Sequence, residues 1–214
     1  MKPETVNHEQ RYLPAIFSEL IRLGSWHKAN PLAKVRQIKT DQVELTFLTL
    51  DQVSQLLEQC KASTNTHTYP VALLCLATGA RWEEAESVAR SAVQGGKVHY
   101  HRTKNRQSRA VPIPKDLESL ILERGMPGSG RMFMSCRAAF RSAYERCGFH
   151  TPGQMTHILR HTFASHYMMG GGDILTLQRI LGHSSITMTM RYAHLSPDHL
   201  ESAMRLSPLA QLRR

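Results

Sequence analysis

Apolar residues near the start of the chain recur at the spacing of one amphipathic helix. Between positions 8 and 24 they fall three and four residues apart, and Gly24 supplies a helix stop. The apolar positions are Leu13, Ile16, Phe17, Leu20, Ile21 and Leu23. Residues 25–42 are polar and basic, contain Pro31 and have no sustained apolar period, which predicts a linker. We therefore expect an N-terminal helix with its linker over 1–44 and a main domain over 45–214.

A second series of helix signals opens the main domain. Thr49 and Gln52 form the pattern of a capping box ahead of an apolar run. Residues 71–77 are all apolar and lead to Gly79, which is typical of a buried helix that ends at a glycine. The segment WEEAESVA, residues 82–89, predicts a further helix directly after Arg81.

The middle of the main domain predicts two short strands, and the last third is almost entirely helical. The strands are Lys97–Thr103 and Arg109–Ile113, which form a basic β-hairpin. The remaining predicted helices cover residues 117–123, 136–146, 157–169, 174–181, 185–193 and 197–206. The pattern predicts an α+β fold that is mostly helical, with a small antiparallel sheet.

The charge of the chain indicates a polyanionic partner. Of the 214 residues, 27 are Lys or Arg and 17 are Asp or Glu, so the net charge is +10 with histidine neutral. Such an excess is typical of nucleic-acid-binding proteins, although ribosome-binding and membrane-surface proteins share it. No stretch approaches the roughly 18 apolar residues of a membrane span, and the start lacks the apolar core of a signal peptide. We expect a cytoplasmic protein.

The four cysteines form neither a CxxC pair nor a zinc-ligand pattern. They are Cys60, Cys75, Cys136 and Cys147. In a cytoplasmic chain this spacing favours free thiols in or near the core, with no disulfide and no structural metal.

Several polar residues follow helix stops or share a helix face, where they could carry chemistry. His157 and Arg160 lie on one face of a predicted helix and suit an anion, or form an ordinary solvated face. Arg81 follows the helix stop at Gly79, where a rigid turn could hold its guanidinium for phosphate binding. Lys104 lies in a hairpin segment with four cations, which could equally be a solvated tip.

Two further residues complete the set of candidates. His183 lies between the stop of one predicted helix and the start of the next, and Tyr192 follows nine positions later. By itself a tyrosine in that position reads as an ordinary packing residue.

Taken together, these motifs resemble the tyrosine recombinases, and among them the integrases of temperate phages. The resemblance rests on ATGARWEEAE, TKNRQSRAVPIP and THILRHTFASHYMMGGGDILTLQRILGHSSITMTMRYAHL, in that order, over roughly residues 45–195. The catalytic positions of that family have counterparts here in Arg81, Lys104, His157, Arg160, His183 and Tyr192. The resemblance implies the tyrosine recombinase catalytic fold.

The resemblance also implies a reaction, namely site-specific recombination through a 3′-phosphotyrosyl link to DNA. Tyr192 would be the nucleophile, and Arg81 and Arg160 would bind the non-bridging phosphate oxygens. Lys104 would protonate the leaving 5′-oxygen, His157 would assist proton transfer at the tyrosine, and His183 would hydrogen-bond the phosphate. The phosphotyrosine conserves the bond energy, so the resemblance implies neither ATP nor any metal or other cofactor.

Supporting and DNA-binding residues are expected around this set. Glu84 matches an acidic position of the family and is interpreted as orienting a cation, while His161 and His166 suit packing or supporting roles. The expected DNA contacts are Arg102, Arg106 and Arg109 in the hairpin, with Lys34, Arg36 and Lys39 in the linker. The implied partner is double-stranded DNA at attachment-type sites, in the cytoplasm of a bacterial host at the nucleoid, with no membrane.

The resemblance further implies self-association to a dimer or tetramer on DNA. Apolar residues after Tyr192 suit docking on a neighbouring protomer, or packing on the chain's own domain: Leu200, Met204, Leu206 and Leu209. Before the catalytic domain, integrases carry a helical core-binding domain, of which residues 8–24 resemble only the last helix. We therefore expect a remnant of that domain over 1–44.

Three other interpretations stay open at this point. The chain could be a recombination-incompetent DNA-binding remnant or regulator with the same fold. Type IB topoisomerases share the chemistry, so DNA relaxation without strand exchange is a further possibility. A metal hydrolase using His157 and His161 is disfavoured, because Ile158 occupies the place of the zincin glutamate and no third ligand is evident.

Overall fold

The computed structural model describes residues 3–36, 38, 46–101, 108–128, 130–149 and 154–197. The chain divides into two units, Met1–Glu44 and Leu45–Arg214. No helix in the described ranges is both long enough and apolar enough to cross a membrane.

The first unit is built on helix α1, Pro3–Arg22. The helix begins five residues before the predicted start, because a proline in the first turn needs no hydrogen-bond acceptor for its nitrogen and fits the helical φ. It ends as predicted, since Gly24 has φ +70° and the amide of Ser25 bonds the carbonyl of Leu20 at 2.9 Å.

The segment that follows α1, which the sequence predicted as a linker, has hydrogen bonds to α1. Asn7 bonds the backbone of Ile38 in both directions, at 2.8 Å each. The Asn30 amide donates to the carbonyl of Pro14 at 2.9 Å. The described residues after α1 therefore fold back along the helix. Polar composition concealed this packing, because its contacts join asparagine side chains to backbone atoms rather than apolar residues to each other.

The second unit contains eight further helices in its described part. Their bounds are α2 Leu50–Lys61, α3 Thr68–Thr78, α4 Trp82–Glu86, α5 Lys115–Arg124, α6 Arg137–Arg146, α7 His157–Met169, α8 Ile174–Leu181 and α9 Ile186–Met190. Short 3₁₀ turns cover Arg90–Ala92 and Ala193–Leu195. The predicted bounds of α7 and α8 are confirmed, and so is the capping box of Thr49 and Gln52 at the start of α2.

Two helices are shorter than predicted. Helix α4 stops at Glu86 because the chain beyond it pairs with a distant segment, with Met132 donating to the Val88 carbonyl at 2.9 Å. Helix α9 stops at Met190, so Tyr192 lies in the turn before the next 3₁₀ segment. The helix predicted over 197–206 lies outside the described residues from 198 onward.

The sheet has three antiparallel strands in the order β1-β2-β3, one more than predicted. The strands are β1 Val93–Gln94, β2 Lys97–Tyr100 and β3 Arg109–Pro112. Gly95 and Gly96, with φ +62° and +69°, form the tight turn that joins β1 to β2. The tip of the β2–β3 hairpin, residues 102–107, lies outside the described residues.

Helix α3 forms the centre of the second unit. It packs against α2, α4, α5, α6 and α7, and most of its residues are buried. The indole of Trp82, directly after Arg81, lies 4.5 Å from the ring of Phe140 on α6. This packing holds the loop that leaves α3 in a fixed position.

All four cysteines are free thiols, and burial raises the pKa of Cys60 to about 12.

Candidate active site

A buried arginine joins three of the segments singled out in the sequence. Arg160 on α7 is 5% exposed, and it donates to the carbonyl oxygens of Gly79 at 2.8 Å and of Leu181 at 2.7 Å. These carbonyls lie at the C-terminal ends of α3 and α8, where helices carry unsatisfied acceptors and partial negative charge. Burial lowers the pKa of Arg160 to about 10, which leaves the guanidinium charged at neutral pH.

Two glycines end the helices that Arg160 joins, α3 and α8. Gly79 ends α3 at φ +63°, and a Cβ there would lie 2.5 Å from the Phe163 ring. Gly182 ends α8 at φ +65°, and a Cβ there would lie 3.3 Å from Nη1 of Arg109. Both turns need a residue without a side chain. They deliver the chain to Arg81 and His183, respectively.

Arg81 is held by Glu84, one turn further along the chain. The Glu84 carboxylate accepts from the backbone amide of Arg81 and from its Nη1, each at 3.0 Å. The Arg81 side chain remains 28% exposed, so the part of the guanidinium not bound to Glu84 is open to a ligand. This geometry fits the interpretation of Glu84 as a residue that orients a cation.

Glu84 has a second cationic partner in Arg109, which the sequence suggested as a DNA contact. Arg109 instead lies in the interior, with 6% of its side chain exposed, and its Nη2 bonds Glu84 at 2.5 Å. Its guanidinium lies 4.7 Å from the centre of the Tyr100 ring. Burial acts to raise the pKa of Glu84, but the bonds to Arg109 and Arg81 outweigh it and leave that pKa below its ordinary value.

Arg81 opens onto a cleft of about 960 Å³. The polar residues that line it are Arg81, Glu83, Glu84, Ser87, His99, His101, Arg137 and His157. Arg137 forms an exposed ion pair with Glu83 at 2.9 Å. Sequence analysis missed His99, His101 and Arg137, because they belong to β2, the residue after it and α6, and no local motif marks them.

His183 is buried near the charges of Arg160 and Arg81. Its Nδ1 lies 2.8 Å from the hydroxyl of Thr189 on α9. Burial is the main cause that lowers the pKa of His183 to about 4, and the nearby Arg160 and Arg81 add to it. The imidazole is therefore neutral at neutral pH, and it can present one N–H to a ligand.

Tyr192 is 2% exposed and turns its hydroxyl towards α7. The hydroxyl lies 2.7 Å from Nδ1 of His161, and the ring packs among residues of α7 and α8 that include Ala164 and Leu177. Burial raises the pKa of Tyr192, against the opposing effect of Arg160 and Arg191.

The histidines of α7 lie in different surroundings. His157 lines the cleft, and the residue in contact with the Tyr192 hydroxyl is His161, for which packing or support was expected. His166 has a packing role, since its Nε2 lies 2.8 Å from the carbonyl oxygen of Leu48. The sequence spacing assigns all three histidines to α7. It does not predict which of them contacts Tyr192, because Tyr192 lies 31 positions after His161.

The remaining predicted residues either fall outside the described part of the chain or belong to the first unit. Lys104, Arg102, Arg106 and Lys39 lie outside the described residues. Lys34 and Arg36 are exposed on the first unit. Within the described ranges, no group of three His, Cys, Asp or Glu side chains is arranged to hold a metal ion, so a partner for the HxxxH pair of α7 is not found there.

Comparison with known families decides what kind of protein carries this arrangement. The family model described as "Phage integrase family" matches residues 46–199, and the one described as "Phage integrase, N-terminal domain" matches residues 1–39. The chain belongs to the phage integrase family.

Similar proteins agree with this assignment. A protein of Pseudomonas phage Pf1 is 85% identical over 213 residues, which make up 100% of this chain and 64% of the Pf1 protein. The chain thus spans less than two thirds of that relative's length.

Solved structures confirm the predicted fold. The catalytic domain of bacteriophage HP1 integrase is 46% identical, with a TM-score of 0.73 over 78% of this chain and 98% of that one. The Tn1549 transposon integrase, solved in complex with transposon right end DNA, is 17% identical with a TM-score of 0.76 over 100% of this chain and 81% of that one, and supports the fold alone. The chain therefore has the tyrosine recombinase catalytic fold, mostly helical with a small antiparallel sheet.

Proposed function

We propose that this phage integrase cleaves and rejoins DNA through a covalent phosphotyrosyl intermediate on Tyr192, as a step of site-specific recombination. The observation that carries the proposal is the position of Arg160, which bonds the turns leading to Arg81 and to His183 from the helix that also contacts Tyr192. The Arg160 guanidinium thereby holds the segments of Arg81 and His183 on α7, and His161 of the same helix contacts the Tyr192 hydroxyl.

The phosphate would bind among the cations of the site. Arg81 offers the exposed part of a guanidinium at the cleft, and Arg160 has its orientation fixed by two carbonyls. Such preorganised donors stabilise the charge that develops on the non-bridging oxygens as the phosphorus becomes five-coordinate. His183, held through Thr189, would donate one further hydrogen bond to the phosphate.

The reaction exchanges one phosphate ester for another. The Tyr192 oxygen loses its proton, for which we propose His157 as the acceptor, and forms a bond to phosphorus. The bond from phosphorus to the 5′-oxygen of the next nucleotide breaks. That oxygen takes up a proton, for which we propose Lys104 as the donor. Because the ester is conserved, the reverse attack by a 5′-hydroxyl needs neither ATP nor a cofactor. Since Tyr192 is buried, the short segment around it has to bring the hydroxyl to the bound phosphate.

The proposed partner is double-stranded DNA at attachment-type sites. A net charge of +10 supports it, as does the DNA bound to the Tn1549 integrase of the same fold. We further propose DNA contacts by Arg102, Arg106, Lys34, Arg36 and Lys39. Self-association to a dimer or tetramer on DNA, in the bacterial cytoplasm at the nucleoid, completes the proposal.

Covalent trapping tests this function. The protein is incubated in EDTA with a library of DNA duplexes that have a randomised centre and a nick at a fixed position, so that cleavage releases a short fragment and cannot reverse. We expect an adduct on a denaturing gel that Tyr192→Phe abolishes and Tyr12→Phe, a change at an exposed tyrosine of the first unit, retains. If the protein bound DNA in a salt-sensitive way but formed no adduct, the result would instead support a recombination-incompetent DNA-binding remnant or regulator.

A further inference from the structure

An exposed ion pair lines the cleft onto which Arg81 opens. Nη1 of Arg137, the first residue of α6, donates to the Glu83 carboxylate of α4 at 2.9 Å. Both side chains stay open to solvent, with 57% of Arg137 and 60% of Glu83 exposed. Such a pair gains little free energy, because water screens both charges. A phosphate that enters the cleft can therefore take the place of Glu83.

The backbone that carries Arg137 is fixed by contacts other than this pair. The amide of Cys136 donates to Oε1 of Glu86 at 2.8 Å, and the Trp82 indole donates to the same oxygen at 3.0 Å. The Trp82 ring also packs on Phe140 of α6. These contacts join α4 to α6 beneath the cleft. The Arg137 side chain can thus exchange its partner without a change in the fold.

The two adjacent glutamates of α4 lie in different surroundings. The Glu84 side chain is 11% exposed, and its carboxylate bonds both Arg81 and Arg109. Of these two carboxylates at the cleft, Glu83 is the exposed one, and a single arginine holds it. An incoming phosphate therefore meets Glu83, and the two anions repel each other.

The charges of this pair also reach the neighbouring histidine of the cleft. Burial is the main cause that lowers the pKa of His157. The charge of Glu83 acts against this shift, and Arg81 and Arg137 are among the cations that add to it. Both partners of the ion pair are thus close to residues proposed for the reaction.

We propose that Arg137 binds a backbone phosphate of DNA, and that Glu83 competes with this phosphate for Arg137. The inference rests on the proposed function, since it takes DNA as the occupant of the cleft. The phosphate is a further one, beside the reacting phosphate at Arg81. A cleft of about 960 Å³ supports this, because that volume suits a whole drug-sized ligand rather than a single phosphate. Contacts of this kind position a duplex without reading its sequence.

The first measurement is the dissociation constant of a labelled duplex, by fluorescence anisotropy at several salt concentrations. Every protein carries Tyr192→Phe, so that binding stays non-covalent, and the duplex can have any sequence, since a phosphate contact does not depend on it. Arg137→Gln should weaken binding by about tenfold and reduce the slope of the salt dependence by about one. Glu83→Gln should tighten binding by about threefold at low salt, and salt should reduce this gain.

The other end of α6 supplies matched controls. Glu145 and Arg146 are exposed there and do not line the cleft. Glu145→Gln and Arg146→Gln change the net charge as the two test variants do, and each should stay within about twofold of the parent.

A double variant shows whether Glu83 acts through Arg137. If the two side chains are coupled, Glu83→Gln should change the affinity by less than about twofold once Arg137→Gln is present. General repulsion between Glu83 and DNA would instead give the same gain with and without Arg137.

The rate of adduct formation at saturating DNA distinguishes this phosphate from the reacting one. If Arg137 bound the reacting phosphate, Arg137→Gln would lower that rate by about 100-fold or more, as the loss of a charge-stabilising donor does. We expect the loss to fall on the affinity instead, because Arg81 and Arg160 remain for the reacting phosphate.

The outcomes are distinct. Tighter binding by Glu83→Gln that requires Arg137 supports the proposal. Unchanged binding in either single variant, an equal gain with and without Arg137, or a 100-fold slower reaction at saturation overturns it while the phosphotyrosyl mechanism stands. Failure of the proposed function appears differently, as a wild type that forms no adduct, and the binding measurements do not depend on adduct formation.

Discussion

Arg160 donates a hydrogen bond to the carbonyl oxygen of Gly79, two residues before Arg81. A second bond, to Leu181, makes the same link to the segment of His183. The residue that would bind the phosphate is thus also the one that holds the site together. The two roles of Arg160 can be measured separately, because its effect on the free energy of unfolding is measured without DNA.

Replacement of Arg160 and of Arg81 should affect stability differently. Arg160→Met leaves two buried carbonyl groups without a donor and should lower the free energy of unfolding by about 2–4 kcal/mol. Arg81→Met should cost about 1 kcal/mol or less, because the side chain is partly exposed and Glu84 keeps Arg109. Both should lose the DNA adduct. Urea unfolding measures the difference, and equal destabilisation would contradict the structural role of Arg160.

The hydroxyl of Thr189 should matter for cleavage more than for DNA binding. If it donates to Nδ1 of His183, the hydrogen of the imidazole lies on Nε2, free for the phosphate. Thr189→Val keeps the shape and removes the hydroxyl, so adduct formation should slow by about 10-fold or more while the binding constant changes little. Thr189→Ser is the control and should retain the rate. Equal rates of adduct formation in Thr189→Val and Thr189→Ser would contradict a role for the Thr189 hydroxyl in cleavage.

Arg109 and Glu84 should be energetically coupled. Both are largely buried, and loss of one leaves the charge of the other poorly compensated, at a cost of about 3–5 kcal/mol. In the double variant Arg109→Met/Glu84→Gln neither charge remains, so its destabilisation should fall short of the sum of the single ones by about 1–3 kcal/mol. A double-mutant cycle in urea measures this coupling, and strict additivity would show that the pair does not act as a unit.

The protein should lose stability on mild acidification. Burial is the main reason that the pKa of His161 and of His183 is lowered to about 4, whereas unfolding returns each to about 6.5. Between these values the unfolded chain binds more protons, so their contribution is complete above about pH 6.5 and falls as the pH drops towards 4. At pH 5 the loss relative to pH 7 should be about 2–4 kcal/mol. Urea unfolding at both pH values measures it.

A variant with both histidines changed to asparagine provides the control for this pH dependence. It has no imidazole to protonate at these two positions, so its stability should fall less between pH 7 and pH 5 than that of wild type. A loss as steep as that of wild type would assign the acid sensitivity to other groups.

Most helices of the catalytic unit could be predicted from the sequence, because the residues that end them, such as glycines, are recognisable there. Gly79 and Gly182 end α3 and α8 where the pattern indicated, and both lead into candidate residues. Strand β1 was missed because it has only two residues, although the adjacent glycine pair is a turn signal. Short elements carry too little periodicity to be recognised.

Contacts between distant segments could not be predicted in the same way. Arg109 follows a basic hairpin tip, so its local sequence indicates a solvated cation, yet the fold turns it inward onto Glu84. His161 reads as a packing residue until α9 and the turn after it bring Tyr192 to its Nδ1. Both relationships arise from tertiary packing, which local propensity does not record.

The central claim is that Tyr192 becomes covalently bound to DNA. The most direct measurement is mass spectrometry of the trapped adduct after digestion with nuclease and protease. The account predicts a nucleotide joined through its 3′-phosphate to the peptide that contains Tyr192, with fragment ions that assign it to that tyrosine. A nucleotide on any other residue, or a link through a 5′-phosphate, would contradict the account.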